Sequence, residues 1–339
     1  MTDMKFRPLG NSGVRVSELC LGTMMFGGET PETEAQRIID HARGLGVNFV
    51  DTANSYNKGA SEEVLGRAIK ATRQHWVLAT KVCNPMGPGK NDRGLSRLHL
   101  MREVDASLRR LDSDVIDILY VHREDPLTPW PEVARSFADL IRAGRIRYWG
   151  LSNLRAWQIV EICHICRTNG FPEPVVLQPY YNLMNRQPEV EVLPAARHLG
   201  LGVVPYSPIA RGVLTGKYRV NTTPEPGSRA ARKDRRMMQA EWRDESLLLA
   251  ETLKAHAEAR GISLVAWAVA WVLNNGAISA TIAGPRTFAQ WEAYPAALAY
   301  AWTAEDEALA NRLVTPGHPS TPGHTDPAYP VTGRFPRVG

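Results

Sequence analysis

The segment Leu19-Cys20-Leu21-Gly22-Thr23-Met24 is a short apolar run that leads into one glycine. In an open, doubly wound sheet the first strand normally runs into a Gly-x-Gly-x-x-Gly turn that receives a pyrophosphate. No such turn follows here. Instead, strand-like apolar segments recur at residues 19–21, 49–51, 76–80, 116–121, 148–151, 175–178, 203–206 and 280–283. Helical patterns separate most of them. Eight strands alternating with helices predict a closed (β/α)8 TIM barrel, with the open sheet as the alternative.

Ahead of the first barrel strand, residues 6–19 alternate apolar and polar side chains around Asn11-Ser12-Gly13, which predicts a hairpin. Residues 33–45 place Ile38, Ile39 and Ala42 on one helical face and stop at Gly46, where left-handed backbone carries no Cβ penalty. Ser61 reads as the N-cap of the next helix. Residues 96–111 repeat Leu100, Val104, Leu108 and Leu111 along one face. Two stretches break the rhythm. Residues 209–245 are basic with little periodicity, and helices at 246–260 and 263–274 precede the last strand. Residues 314–339 hold six prolines, so no regular structure is expected; this tail is either disordered or lies across the barrel mouth. Residues 1–313 are expected to form a single barrel domain.

The chain has 339 residues, 44% of them hydrophobic, enough to bury a large core. Its formal charge of +5 suits an anionic small molecule such as a nucleotide, or no charged partner at all. The basic residues are scattered and not grouped with aromatics, which argues against nucleic acid. The densest group, residues 229–236, reads as a solvated loop, with a lid over a cofactor or substrate as the alternative. Cys163 and Cys166 have CxxC spacing but lie within an apolar helical pattern, with no second cysteine pair to complete a zinc site, so they read as core residues. No metal site is expected. Residues 1–8 are polar and charged and do not read as a signal peptide, and no apolar run approaches a membrane span. The default expectation is a reduced, cytoplasmic enzyme.

Four chemically useful side chains fall at or just after strand candidates: Asp51, Tyr56, Lys81 and His122. A parallel barrel keeps its chemistry at these carboxyl ends. Together they supply a carboxylate, a phenol, an ammonium and an imidazole. A free phenol, with a pKa of roughly 10, is a weak acid unless its anion is stabilised. A nearby ammonium does that, and the ammonium in turn needs a carboxylate to stay charged in a dry pocket.

Residues 51–70, DTANSYNKGASEEVLGRAIK, resemble the signature of the aldo-keto reductases. So do LGTMMFG at 21–27 and YSPIARGVLTGKY at 206–218. The resemblance runs in register over residues 5–295. It points to the bacterial, NADP(H)-dependent carbonyl reductase type, related to the channel β-subunit-like branch. It implies hydride transfer between a nicotinamide cofactor and a small aldehyde or ketone. Tyr56 would be the general acid/base, assisted by Lys81, Asp51 and His122. Relatives that reduce carbon–carbon double bonds tend to carry Glu where this chain has His122.

The resemblance also implies a cofactor lying over the barrel rim. Gly22, Thr23, Met24 and Asp51 would border it, and Ser152, Asn153 and Gln178 would grip the carboxamide. Tyr206 would stack on the nicotinamide. Ser207, Pro208, Ala210, Gly212 and Leu214 would form the pyrophosphate loop, with Lys217 adding charge. Gly284, Arg286 and Gln290 would meet the adenosine 2′-phosphate at a helix start near Thr287. Ala293-Tyr294 departs from the family's usual Glu-Asn beside the adenine. NADP(H) is the expected cofactor, with NAD(H) as the alternative. Met25, Phe26, Tyr56, His122, Trp130 and Tyr329 are candidates for the substrate wall. The rival reading is a redox-sensing, cofactor-binding regulatory subunit. Substrate identity and oligomeric state are not legible.

Overall fold

The computed structural model describes residues 4–332. The last part of the expected tail, residues 333–339, lies outside the described residues. A hairpin of β1 (Phe6–Pro8) and β2 (Arg15–Ser17) precedes the barrel. The barrel strands are β3 (Leu19–Gly22), β4 (Phe49–Asp51), β5 (Val77–Val82), β6 (Ile116–Val121), β7 (Ile146–Ser152), β8 (Val176–Gln178), β9 (Gly202–Val203) and β10 (Thr281–Ala283). They pair in parallel in the order β10-β3-β4-β5-β6-β7-β8-β9. The sheet closes on itself through Ser279 N donating to Val203 O at 2.8 Å and Ile282 N donating to Pro205 O at 3.0 Å. The closed barrel, not the open sheet, is therefore the fold.

The helices are α1 (Glu32–Gly44), α2 (Ala60–Ile69), α3 (Arg97–Leu111), α4 (Trp130–Arg142), α5 (Ala156–Asn169), α6 (Val192–Leu199), α7 (Arg235–Ala240), α8 (Asp244–Ala259), α9 (Leu264–Asn274), α10 (Phe288–Glu292) and α11 (Ala304–Leu313). Their buried faces form one apolar layer against the outside of the strands. Cys163 and Cys166 of α5 belong to that layer. Among the described residues, no helix is long and apolar enough to cross a membrane.

Most element boundaries follow the periodicity, and the exceptions have local causes. The strand expected at 203–206 shortens to Gly202–Val203. Pro205 and its neighbour Pro179 lack N–H groups, so the ladder breaks and resumes as a bridge between Tyr180 and Tyr206. Strand β5 instead runs two residues further than expected, which brings Lys81 inside it. Ser96 caps α3 by accepting from His99 N, and Gly46 takes the left-handed φ of 85° expected after α1. Ser61 is not a cap. It lies inside α2, behind Gly59, and its buried hydroxyl donates to Thr23 O at 2.7 Å.

The hairpin seals the amino end of the barrel. Leu9 and Val16 pack with Cys20, Phe49, Ile118 and Val204 in the barrel's interior cluster. Asn11 N donates to Gly200 O at 2.8 Å, and Ser279 Oγ donates to Pro8 O at 2.9 Å. At the other end, residues 314–332 contact the loops that follow the strands, and Tyr329 among them lines the cavity there. Arg186 N donates to His318 O at 3.1 Å, Arg236 pairs with Asp326, and Arg155 donates to Pro330 O at 2.7 Å.

Gly10 is the tightest point of the plug. It has φ 59°, and an added Cβ would fall 2.5–2.7 Å from Gly202 N, Gly200 O and Val175 O. Gly10→Ala is expected to destabilise the protein by about 2–3 kcal/mol, because rigid backbone must shift to admit it. Gly13, with no atom near its missing Cβ, should tolerate Ala within about 0.5 kcal/mol. Urea unfolding of the two variants checks this, and equal midpoints would show that the plug does not support the barrel.

Candidate active site

A cavity of about 740 Å³ opens at the carboxyl ends of the strands. Its floor is built on a buried ion pair. Lys81, on β5, is 1% exposed and pairs with Asp51 at the end of β4. Its ammonium also donates to Thr52 O at 2.7 Å and to Tyr56 Oη at 3.2 Å. All three N–H donors are thereby used. Asp51 Oδ2 accepts from Gln178 Nε2 at 2.8 Å, so both carboxylate oxygens are bonded. Burial works against the ammonium, but Asp51 and the Tyr56 oxygen outweigh it and hold Lys81 above its ordinary pKa.

The Tyr56 oxygen accepts from Lys81, which leaves its own hydrogen free toward the cavity. Burial pushes this phenol above its ordinary pKa, against the downward pull of Lys81. The ammonium pulls the phenol's pKa down as expected, but burial outweighs it, and Tyr56 holds its proton at neutral pH. Such a group is a loaded proton donor.

His122 follows β6, with its ring 5.9 Å from that of Tyr56 and nearly perpendicular to it. Burial, then the charges of Lys81 and Arg123, keep its pKa well below the usual histidine value. The imidazole is neutral, so one nitrogen carries a proton and the other accepts. Asn84 Nδ2 decides which. It lies 3.2 Å from His122 Nδ1 and 3.2 Å from Ser55 Oγ, and an amide NH2 can only donate. Nδ1 therefore accepts, and the proton sits on Nε2. This hydrogen and that of Tyr56 are the two donors available to one polarised oxygen. Asn84 carried no recognisable pattern in the sequence.

A second network follows on the neighbouring strands. Ser152 Oγ donates to Gln178 O at 2.7 Å. Asn153, at φ 58°, donates to His122 O at 2.9 Å and accepts from Tyr206 Oη at 2.9 Å. Tyr206 stacks on Tyr180 with centroids 5.5 Å apart, so its opposite face is the one turned to the cavity. The turn beyond it is strained, with positive φ at Ser207, Ala210, Arg211 and Gly212.

Gly22, Thr23, Met24, Met25, Ser152, Asn153, Gln178, Tyr206, Ser207, Pro208, Gly212, Lys217, Gly284, Arg286, Gln290 and Tyr329 all line the cavity with Asp51, Tyr56 and His122. Lys81 is buried behind Asp51 and Tyr56, and four other expected residues also do not line the cavity. Ala210 and Leu214 are buried beneath the turn, where their side chains pack in the core. Phe26 is 0% exposed and packs in the core. Trp130 starts α4 and packs against the helical layer.

The basic run at 229–236 is exposed at residues 231–233 and 235, as a solvated loop would be, but part of it also faces the cavity. Arg229, Arg232 and Arg236 line the cavity, as do Arg123 and Arg211. The run was visible in the sequence, but its side of the molecule was not. Arg211 sits inside the 206–218 motif, among small residues that drew the attention to backbone. The start of α10 also differs from expectation. Phe288 N donates to Glu34 Oε1 at 2.6 Å, so that amide is not free for an incoming phosphate.

Residues 18–313 match the aldo/keto reductase family. The chain is 39% identical over 298 residues to the uncharacterized oxidoreductase YrpG of Bacillus subtilis, a match that covers 85% of this chain and 89% of that protein. It is 38% identical over 286 residues to a probable voltage-gated potassium channel subunit beta of Arabidopsis thaliana, covering 83% of this chain and 87% of the plant protein. The corresponding protein of Oryza sativa subsp. japonica is 37% identical over 286 residues, with the same shares covered. With a family match across most of its length, set on a closed parallel barrel, the chain belongs to the aldo/keto reductase family and is by that membership an NAD(P)H-dependent oxidoreductase.

Proposed function

We propose that the protein reduces the carbonyl group of a small aldehyde or ketone, with Tyr56 as general acid and NADP(H) as the preferred cofactor. The observation that carries this reading is the Tyr56 hydroxyl. Its oxygen is held by Lys81, its hydrogen is free, and the neutral His122 stands beside it.

The cavity suits a dinucleotide. Its volume, about 740 Å³, is within the range of ligand pockets. One end offers the amide and hydroxyl groups of Ser152, Asn153 and Gln178 beside the Tyr206 ring, which fits an aromatic carboxamide. The other end offers Lys217, Arg229, Arg232 and Arg286, which fits phosphates. When bound, a reduced nicotinamide supplies the hydride. The protein's part is electrostatic. Nε2–H of His122 and O–H of Tyr56 orient the substrate oxygen as its negative charge grows. Tyr56 then gives up its proton, and the Lys81 ammonium stabilises the phenolate left behind. Asp51 keeps that ammonium charged. The mouth residues Met25, Arg123 and Tyr329 border the space left for substrate.

The plant relatives favour a second reading, a cofactor-binding regulatory subunit with vestigial turnover. Steady-state reduction of a panel of aldehydes with NADPH separates the two, since a regulatory subunit turns over slowly on all of them.

Tyr56→Phe is expected to lower kcat by roughly a hundredfold or more while leaving the NADPH dissociation constant near its wild-type value. Near-normal turnover would remove Tyr56 as the acid.

The pH dependence follows from the directions of the shifts. His122 is neutral from its depressed pKa upward, and Tyr56 stays protonated up to its raised one. Reduction should therefore show no inflection between about pH 5 and 8. Alcohol oxidation, which needs the phenolate, should rise with pH. In Asn84→Ala the Nε2 proton is no longer enforced, so kcat should fall about tenfold with little change in cofactor affinity. An inflection near the ordinary histidine pKa in the wild type would show that His122 is protonated in that range and overturn its assignment as a neutral imidazole.

Arg286→Ala is expected to weaken NADP(H) binding by about 2 kcal/mol, the scale of charged hydrogen bonds, and NAD(H) binding little. Fluorescence titration with each cofactor measures this, and equal losses would show that Arg286 serves the pyrophosphate or the fold.

A further inference from the structure

We propose that Glu29 is a cofactor-selectivity residue, whose carboxylate competes with the adenosine 2′-phosphate for Arg286 and Arg232 and so narrows the preference for NADP(H) over NAD(H). The inference rests on the reading of Arg286 as the phosphate-binding side chain.

Glu29 lies on the loop between β3 and α1. Its side chain is 37% exposed, pairs with Arg232, and lies 3.2 Å from Arg286 Nη1. Burial is the largest single influence and acts against its charge, but the bonds and charges of Arg232 and Arg286 together hold its carboxyl below the usual range, so it is ionised at neutral pH. Arg286 is further committed, because Nη1 also donates to Gly227 O at 2.9 Å. Its backbone N–H donates to Gln290 Oε1 at 2.9 Å, and its carbonyl accepts from Thr30 Oγ1 at 2.7 Å. A second carboxylate, Glu34, holds the amide of Phe288. Two guanidinium groups at the expected phosphate site therefore already have an anionic partner.

A 2′-phosphate arriving there has two options. It displaces Glu29 and breaks its bonds to both arginines, or it shares them and sits close to a like charge. Both oppose binding. The ribose of NAD(H) carries a hydroxyl at this position and meets neither obstacle. A carboxylate accepts a hydrogen bond from a ribose 2′-hydroxyl, as acidic residues do in other dinucleotide sites. The competing explanation is mechanical. Glu29–Arg232 also joins the loop after β3 to the loop after β9, and a latch of that kind would serve both cofactors equally.

The test is the dissociation constants of NADPH and NADH, by fluorescence titration, for wild type, Glu29→Gln, Glu29→Ala, Arg286→Ala and the Glu29→Gln/Arg286→Ala double variant. Glu29→Gln and Glu29→Ala should each tighten NADPH roughly tenfold and leave NADH unchanged or slightly weaker. The gain should shrink in the double variant, because it acts through Arg286. If both Glu29 variants weaken NADPH and NADH alike, or leave their ratio unchanged, Glu29 is only a latch and the proposal fails. An undiminished gain in the double variant overturns it as well. Arg286→Ala separates this inference from its foundation. A selective loss of NADPH with no effect of Glu29 keeps the phosphate assignment and refutes the role of Glu29. Equal losses of both cofactors in Arg286→Ala refute the assignment itself.

Discussion

The Lys81–Asp51 pair is the constraint around which this barrel is arranged. An ammonium almost fully removed from water is tolerated only with its charge matched and its donors filled. Asp51 matches the charge, while Thr52 O and Tyr56 Oη fill the remaining donors. Gln178, four strands away, fixes the other oxygen of Asp51. The pair therefore ties β4, β5 and β8 together at the centre of the carboxyl-end face. Strand β5 must extend to Val82 for Lys81 to reach inward. A pair of this kind contributes little net stability compared with apolar packing. Its value is positional, since it sets the Tyr56 phenol oxygen beside a cation.

Around that centre the polar groups are directional, and each orientation follows from a neighbour that has only one way to bond. Asn84 can only donate, so His122 Nδ1 accepts and Nε2 carries the proton. Lys81 can only donate, so Tyr56 accepts and turns its hydrogen outward. Tyr206 is fixed at its tip by Asn153 and on one face by Tyr180, which leaves one face of the ring for a ligand. The site is thus set before any ligand enters.

The outer wall obeys different physics. Arg229, Arg232 and Arg286 come from loops and Arg236 from the first turn of α7, and their charges are met by Glu29, Asp234 and Asp326. These pairs are partly exposed and weaker individually than the buried pair. They are also exchangeable, because an anionic ligand competes with the carboxylates for the same guanidinium groups. The floor of the cavity is held by buried, fully bonded groups, while its wall is held by partly exposed ion pairs.

Most of the barrel and its floor could be read from the chain itself. Strand and helix periods are local properties, and each of Asp51, Tyr56, Lys81 and His122 sits at or near a strand's carboxyl end, where chain order alone implies convergence. The wall could not be read that way. Nothing local tells which way residues 229–236 face, or that Glu29 lies against Arg232 and Arg286, since these contacts span roughly 200 residues or more in the ion pairs formed. Phe26 and Trp130 carried the same aromatic signal as Tyr329, yet among these three only Tyr329 reaches the cavity, because Phe26 packs into the core and Trp130 packs against it. The chain determined the periodic elements and the residue types placed at their ends. Only the closed fold decided which loops met over those ends and which charges were already paired there, because such pairings depend on distances that no local pattern encodes.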